Sequence, residues 1–274
     1  MAWVDSEIRD YLQPDHLFEQ VTRLEGEVFR EVETRKTLRF SLGDQNYFVK
    51  IHRGVGWKEI LKNLLQFRWP VLGARNEWLA LRKLRQAGID TLEPLAYTSE
   101  GLNPAGLKSC LVTRALEDTL SLEEVCQQHR LRPGLKHRLI TRTAEITARL
   151  HQLGVNHRDL YICHFLIRLD ELDAENPRLF LIDLHRAQIR NHTPQRWQVK
   201  DVGALYFSAM VDAGLTRNDI YRFLRAYTGL PLREALQADR HFWRQVQQRG
   251  EALYLESWPQ LPDLMKRQTE ALDE

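Results

Sequence analysis

The sequence predicts an α+β fold in two lobes, the first built on an antiparallel sheet and the second helical. Three observations support this prediction. Strand-like alternation dominates the first 114 residues, helical periodicity dominates from Leu135 onwards, and the two regions join near 114–118. The 274 residues suffice for two modest lobes with a buried core. We expect a lead-in over 1–24, a sheet lobe over 25–116 and a helical lobe over 117–274.

The composition is that of a folded globular protein, with 43% hydrophobic and 28% charged residues. A net charge of +2 gives no reason to expect a nucleic-acid partner. No stretch reaches the about 18 apolar residues needed to cross a bilayer, and the N-terminus lacks a signal-peptide pattern. Three cysteines without a C-x-x-C pair argue against a disulfide framework or a zinc knuckle. We therefore expect a cytoplasmic protein.

The sheet is predicted from short strands that follow a polar lead-in. Glu27–Arg30, Thr37–Leu42 and Tyr47–Ile51 are rich in apolar and β-branched residues. The Gly-Asp-Gln-Asn segment at 43–46 is typical of a hairpin turn, which makes the pairing antiparallel. Two later strands are predicted over Leu92–Tyr97 and Ser109–Arg114.

Helices are predicted from apolar residues spaced three or four apart and from signals at the helix ends. Trp57–Trp69 combines apolar and basic faces and is ended by Pro70, whereas Arg75–Ala87 stops at Gly88. In the helical lobe the predicted helices are Leu135–Leu153, the uncharged Val202–Val211, one opened by a capping box of Thr216 and Asp219, and a last pair starting at Pro231.

The strongest functional signal is the run Asn-His-Arg-Asp-Leu at 156–160, between the Leu135 helix and the apolar segment 165–167. In protein kinases, an H-R-D-L loop in this position supplies the Asp that orients and deprotonates the attacking hydroxyl. Three residues alone are a weak motif, because an Asp that caps a surface loop gives the same pattern. The sequence therefore makes Asp159 a candidate catalytic base.

A second acid, Asp183, ends the apolar run 179–182 and lies 24 residues after Asp159. Protein kinases carry their magnesium-binding Asp in this place, and a carboxylate at a strand end suits a hard cation that bridges two phosphates. The alternative is a strand that simply ends in a turn aspartate.

Lys50 is the only charged residue of segment 46–51. A lone lysine in a strand usually faces solvent, but Glu77 in the following helix could pair with it and hold it toward nucleotide phosphates. Asp201 stands at the head of the predicted Val202–Val211 helix. In kinases an Asp there accepts hydrogen bonds from the catalytic-loop backbone, whereas the simpler alternative is an acid at a helix N-terminus.

With these four elements in order, the sequence resembles the protein-kinase-like superfamily, and most closely the bacterial lipopolysaccharide core heptose(I) kinases. The resemblance runs from about Glu25 to Tyr227. Its segments are 26–31 (GEVFRE), 47–54 (YFVKIHRG), 70–74 (PVLGA), 156–165 (NHRDLYICHF), 182–187 (IDLHRA), and the stretches 196–201 and 205–208.

The resemblance implies a two-lobed protein-kinase-like fold that transfers the γ-phosphate of ATP to the first heptose of the lipopolysaccharide inner core. The reaction would need Mg²⁺ and would take place at the cytoplasmic side of the inner membrane, with acyl carrier protein as a further partner. By this resemblance Asp159 is the base, Asp183 holds Mg²⁺, Lys50 with Glu77 binds the phosphates, and His157 with Asp201 supports the catalytic loop.

The sequence also departs from the general kinase pattern. It has no G-x-G-x-x-G loop, and Arg35 and Lys36, in the predicted loop 31–36, could replace backbone contacts to phosphate by point charges or could be solvated. His164 occupies the position of the second metal ligand, but Mg²⁺ prefers oxygen, so one firmly bound metal is expected. Asp-Leu-His stands in place of D-F-G and no A-P-E follows, which argues against activation-loop regulation.

Two local charge patterns bear on the acceptor. The segment 50–75 carries a net charge of +5 and includes the amphipathic Trp57 helix, so contact with an anionic membrane surface competes with an ordinary solvated or packed helix. The segment 185–200 has four basic residues and no acid. Arg186, Arg190 and Arg196 of this segment are predicted to bind phosphates or carboxylates of the acceptor.

Three alternatives stay open at this point. A metal-dependent hydrolase would gather His157, Asp159, Cys163, His164 and His185 as ligands. A nucleotide-binding scaffold without turnover would explain the missing glycines. A kinase of another core sugar would have the same motifs, because contacts to the acceptor have no motif of their own.

Overall fold

A computed structural model describes residues 1–65, 70–128 and 131–257, and it confirms the α+β prediction. The chain forms two compact units. The first unit comprises Met1–Glu117 together with Asp183–Ala187, and the second comprises Asp118–Ile182 together with the chain from Gln188 onwards. The short segment that begins at Asp183, which we expected in the helical lobe, therefore belongs to the sheet-rich unit.

The first unit is built on one six-stranded antiparallel sheet in the order β1-β5-β6-β4-β3-β2. Its strands are β1 (Ala2–Val4), β2 (Glu27–Val32), β3 (Arg35–Leu42), β4 (Gln45–His52), β5 (Pro94–Glu100) and β6 (Lys108–Arg114), and its helices are α1 (Leu17–Thr22), α2 (Gly56–Leu65) and α3 (Arg75–Gln86). The predicted hairpin between β3 and β4 is confirmed, with Gly43 at a φ of +59° that favours glycine. The predicted end of the α2 helix at 66–69 lies outside the described residues.

The segment 1–24, expected to be a polar lead-in, instead forms part of the core. It contributes β1 to the sheet edge and α1 to a cover over one sheet face. Its buried side chains, which pack with the inner residues of β3 and β4, are Val4, Ile8, Leu12, Leu17, Phe18 and Val21. Polar residues interrupt these apolar positions without a clear helix or strand period, which is why local pattern analysis missed them.

The alternation of side chains along β4 divides the sheet into two faces. Tyr47, Val49 and Ile51 point into the core, so Lys50 and His52 point to the opposite face. Helix α3 packs on that opposite face, where the Trp78 ring stacks on Tyr97 with centroids 4.3 Å apart. Lys50 and α3 therefore lie on the same face of the sheet, so side chains of α3 can reach the Lys50 ammonium.

The second unit is mainly helical. Its helices are α4 (Leu122–Gln127), α5 (Pro133–Gln152), α6 (Gln195–Asp212), α7 (Arg217–Thr228), α8 (Leu232–Ala238) and α9 (Arg240–Ser257). Its strands form two small antiparallel sheets: β7 (Thr119–Ser121), β9 (Phe165–Arg168) and β10 (Leu179–Leu181) in one, β8 (Val155–Asn156) and β11 (Gln188–Ile189) in the other.

The sequence predicted the start of α7 correctly and the start of α6 incorrectly. The capping box of Thr216 and Asp219 is present at the start of α7. Helix α6, in contrast, begins at Gln195 rather than at Val202. Its first two turns carry charged residues and lack the apolar periodicity from which the helix was predicted.

Replacing Leu17 by alanine should lower the free energy of unfolding by about 2–5 kcal/mol, because its fully buried side chain leaves a cavity between α1 and the sheet. The urea midpoint measures this loss. Glu19→Ala in the same helix is the control, since that side chain is exposed and should leave the midpoint nearly unchanged. Equal midpoints for the two variants would show that segment 1–24 is not part of the core.

Candidate active site

The ammonium group of Lys50 lies against the carboxylate of Glu77, as the sequence predicted. The Nζ atom is 2.6 Å from Oε1, and the Glu77 side chain is only 1% exposed. Lys50 reaches this partner because β4 turns it toward α3, whose first turn carries Glu77. The interpretation of Lys50 as a solvent-facing lysine is therefore wrong.

Asp183 joins the same ion cluster within the first unit. Its Oδ1 atom accepts hydrogen bonds from Lys50 Nζ at 3.1 Å and from His185 Nδ1 at 2.8 Å. The residue has a φ of +59°, a left-handed conformation that aspartate tolerates better than most residues do. This backbone turn follows β10 after Ile182, and its carboxylate binds both Lys50 and His185.

Charge and burial set the protonation states of this cluster. Burial acts to raise the pKa of the Asp183 carboxyl, but the hydrogen bond from His185 and the charge of Lys50 outweigh it and hold that pKa well below its usual range. Burial acts to lower the pKa of Lys50, but Glu77 and Asp183 outweigh it and raise that pKa. Both groups are thus ionised at neutral pH.

His52 borders this cluster, and sequence analysis did not single it out. Burial, assisted by the positive charges of Arg35 and Lys50, lowers its pKa to about 4. His52 is therefore neutral at pH 7, and its Nε2 atom is buried with no hydrogen-bond partner among the described residues. Its place two residues after Lys50 on the same strand face was the signal that could have found it.

Arg35 and Lys36 do not form the predicted loop, because they begin β3 and only Glu33 and Thr34 connect it to β2. Arg35 is paired with His52 in the sheet and shares the face of Lys50. Lys36 is paired with Ile51, so it points to the opposite face. A common role of the two cations toward one ligand is thus not supported, and only Arg35 remains near the Lys50 cluster.

In the second unit, the carboxylate of Asp201 holds the backbone of the predicted catalytic loop. The N–H group of His157 donates to Oδ2 at 2.7 Å and that of Arg158 donates to Oδ1 at 2.8 Å. Arg158 has a φ of +77°, so these bonds stabilise a turn that an arginine rarely adopts. Asp201 is fully buried in the second turn of α6, which contradicts the alternative of a simple helix N-terminal acid.

Two histidines of the loop also bind backbone carbonyl groups. His157 Nε2 donates to the carbonyl of Ile182 at 2.9 Å, and His164 Nδ1 donates to the carbonyl of Asp159 at 2.7 Å. The two rings stack with centroids 5.5 Å apart. His164 thus stabilises the peptide of Asp159, and its role as a metal ligand stays a prediction.

The residues present fit one magnesium ion better than a protein-only metal centre. Among residues 1–65, 70–128 and 131–257, no three His, Cys, Asp or Glu side chains are gathered as ligands, which does not support the hydrolase alternative. Mg²⁺ usually takes one or two carboxylates and completes its shell with substrate phosphates and water. The ionised carboxylate of Asp183 is a suitable donor of this kind.

The basic residues predicted to bind the acceptor are divided between the two units. Arg186 belongs to the first unit. Arg190, Arg196 and the neighbouring Lys200 belong to the second unit, where all three lie within 6 Å of the Trp197 ring centroid. Trp197 as the centre of this group was not predicted.

The structure thus brings the predicted residues together in two sets. Lys50, Glu77, Asp183 and His185 meet in the first unit, and His157, Asp159, His164 and Asp201 meet in the second. An apolar cavity of about 600 Å³ among α4 to α9 has neither set in its lining. The cavity is therefore distinct from the predicted chemistry.

Comparison with known proteins identifies the family of this chain. The model of the lipopolysaccharide kinase (Kdo/WaaP) family matches residues 19–227. The lipopolysaccharide core heptose(I) kinase WaaP of Pseudomonas aeruginosa is 49% identical over 241 residues, covering 86% of this chain and 90% of the relative. The corresponding kinase of Escherichia coli K12 is 45% identical over 240 residues, with the same coverage.

A solved structure of WaaP in complex with acyl carrier protein superimposes with a TM-score of 0.79. It is 41% identical, and the match covers 93% of this chain and 99% of that one. The match thus extends over nearly the whole of both chains. Together with the family model and the two kinases, it shows that this chain belongs to the lipopolysaccharide kinase (Kdo/WaaP) family.

Proposed function

We propose that this chain transfers the γ-phosphate of ATP to a hydroxyl of the first heptose of the lipopolysaccharide inner core. The observation that carries the proposal is the Lys50 ammonium held between Glu77 and Asp183, which is the arrangement that phosphoryl transfer requires of its phosphate-binding lysine. Relatives that are 45–49% identical and named for this acceptor support the choice of sugar.

Lys50 would bind the ATP phosphates as a fixed positive charge. Its ammonium is held by a carboxylate on α3 and another after β10, so it has little freedom to reorient when the nucleotide binds. Arg35, on the same sheet face, would add a second positive charge. A neutral His52 beside them adds no further repulsion among these cations at pH 7.

Asp183 would hold Mg²⁺, which would neutralise negative charge on the transferring phosphate. The donated proton of His185 and the ammonium of Lys50 fix one carboxylate oxygen and keep the group ionised. This is the protonation state that a hard cation requires.

Asp159 would accept the proton of the heptose hydroxyl as the phosphoryl group is transferred. Its own carbonyl is bound by His164, and the two preceding peptides are bound by Asp201. These contacts fix the backbone at three consecutive residues, so the carboxylate of Asp159 starts from a defined position. Such positioning is the main contribution that a kinase makes to the reaction.

Replacing Asp159 by alanine should lower kcat at least about 100-fold, because the proton of the attacking hydroxyl loses its acceptor. Transfer of labelled γ-phosphate from ATP to core acceptors truncated sugar by sugar measures this effect and identifies the sugar. Asp170→Ala is the matched control, since that carboxylate is exposed and should leave transfer unchanged.

The same assay distinguishes the remaining alternatives. ATP-dependent thermal stabilisation without transfer to any acceptor would support the nucleotide-binding scaffold. Transfer that persists when the first heptose is removed would support a kinase of another core sugar. Full activity of Asp159→Ala would contradict the assignment of the base.

We further propose that the chain binds acyl carrier protein. The proposal rests on the solved structure of a relative with that partner, whose match extends over nearly the whole of both chains.

Mixing the purified chain with acyl carrier protein should give a complex that elutes earlier than either protein in size-exclusion chromatography. A small unrelated protein of similar mass is the control. The proteins are mixed at tens of micromolar, about the concentration at which a specific complex is populated. Separate elution of the two proteins would contradict the proposal.

We also propose that α2 places the chain on the anionic cytoplasmic surface of the inner membrane. Ile60 is buried, whereas Trp57, Leu61, Leu64 and Leu65 form an exposed apolar face of α2. Lys58 and Lys62 are exposed beside this face. Apolar and cationic side chains on one exposed helix suit the interface of an anionic bilayer. No helix in the described ranges combines the length and apolar character needed to cross a membrane.

Replacing Trp57, Lys58 and Lys62 by alanine together should weaken binding to anionic vesicles at least about 10-fold, since each lysine near such a surface contributes about 1 kcal/mol. Co-sedimentation with vesicles of anionic and of zwitterionic lipid measures the loss. The variant Tyr11→Ala, Lys83→Ala, Lys108→Ala removes one aromatic ring and two positive charges elsewhere and is the control. Unchanged sedimentation of the α2 variant would exclude this helix as the membrane contact.

A further inference from the structure

We propose that a group of cations around Trp197 in the second unit binds an anionic group of the acceptor saccharide, a carboxylate or a phosphate, beside Asp159. We call this group the Trp197 cluster, and its members are Trp197, Arg158, Arg190, Arg196 and Lys200. The inference rests on the proposed function, because it assigns the acceptor subsite of the same reaction.

The first observation is the geometry of the cluster. The guanidinium carbons of Arg158, Arg190 and Arg196 lie 5.7, 5.7 and 5.4 Å from the centroid of the indole ring. Lys200 Nζ lies 4.7 Å from it. Four positive charges thus converge on one half-buried ring, and cation–π attraction offsets only part of their mutual repulsion. The buried indole N–H has no acceptor among the described residues.

The second observation is that three cations of the cluster, Arg190, Arg196 and Lys200, have no carboxylate partner among the described residues. Arg190 donates to the amide oxygens of Asn156 and Gln188, which are neutral. Burial and the nearby cations Arg249, Arg158 and Arg196 lower the pKa of Lys200.

Neither Asp201 nor Asp239 forms an ion pair with Arg190, Arg196 or Lys200 in the described part of the chain. Asp201 accepts the two N–H groups of the catalytic loop. Asp239, at the start of α9, accepts from Gln195 Nε2 at 2.7 Å and from the N–H of Phe242 at 2.8 Å. An anion from outside the chain is therefore the group that would pair with Arg190, Arg196 and Lys200.

The third observation is the position of the cluster at the N-terminus of α6. This helix of 18 residues begins at Gln195 after Pro194, has no side-chain cap and has no acid in its first turn. Arg196, Trp197 and Lys200 lie in its first two turns. The free N–H groups and the helix dipole add positive potential in the same place as the cations.

The cluster also adjoins the proposed base along the chain. Arg158 directly precedes Asp159, so their Cα atoms are about 3.8 Å apart. The N–H bond from Arg158 to Asp201 fixes this turn. An acceptor anion bound by the cluster would therefore hold a neighbouring sugar hydroxyl close to the carboxylate of Asp159.

The chemical class of the ligand follows from the donors. Guanidinium groups match the paired oxygens of carboxylates and phosphates. Binding of a neutral sugar would not require two or more neighbouring cations. Four cations lie around the Trp197 ring. The ring therefore orients the cations and does not stack against the saccharide.

The double variant Arg196→Ala, Lys200→Ala tests the proposal by steady-state transfer of labelled γ-phosphate to the purified core acceptor. The KM for acceptor should rise about 10- to 100-fold, the range expected for loss of charge-assisted hydrogen bonds, while kcat and the KM for ATP stay within two-fold. The variant Arg225→Ala, Arg233→Ala removes the same charge from exposed positions on α7 and α8 and should have no effect.

Modified acceptors identify the anion. One acceptor preparation has its carboxylates reduced to alcohols, and another has its phosphates removed. The modification that removes the bound anion should raise the wild-type KM for acceptor. The same modification should leave the KM of the double variant unchanged. The conservative variant Arg196→Lys, Lys200→Arg should retain most of the wild-type affinity.

Three results would overturn the inference. An unchanged acceptor KM in an active double variant would show that the cluster does not bind acceptor. An equal rise in the KM for ATP would assign the cluster to the nucleotide instead. A wild-type KM unaffected by both acceptor modifications would exclude an anionic contact. Absence of any wild-type transfer to core acceptors would instead contradict the proposed function itself.

Discussion

The Lys50 ammonium, enclosed by the carboxylates of Glu77 and Asp183, is the interaction on which the proposed chemistry depends. A buried ammonium is unfavourable unless it is paired, and removing one partner of such a pair typically costs about 3–5 kcal/mol. The alternation of β4, the packing of α3 and the left-handed turn at Asp183 must therefore all be in place to form it. The folded first unit thus assembles the proposed phosphate-binding group.

The second unit uses a different means to define its site. Asp201, buried in α6, accepts two backbone N–H groups of the predicted catalytic loop, and His157 and His164 bind the carbonyl groups of Ile182 and Asp159. None of these three residues needs to touch the reacting atoms. Their common effect is to fix the peptide that carries Asp159, and the cations around Trp197 surround the same turn from the side of Arg158.

The sequence-based predictions were wrong or incomplete where no local pattern marks the structure. The first 24 residues pack through scattered apolar side chains, and the start of α6 carries charges, so neither has the local period that pattern analysis detects. Arg35 and Lys36 are adjacent and alike in the sequence, but a strand sends them to opposite faces. His52 has no motif, and only the fold shows that it is buried among cations.

Sequence patterns alone predicted the α+β order of elements, the hairpin of β3 and β4, the major helices, and the candidate residues Asp159, Asp183, Lys50, Glu77 and Asp201. These follow from local periodicity and from motifs with fixed spacing. Only the tertiary structure decided which of them touch, that Asp183–Ala187 belongs to the first unit, and that four cations share one tryptophan. The reason is that such contacts join residues that are distant along the chain, and strand register and helix packing, rather than any local pattern, bring them together.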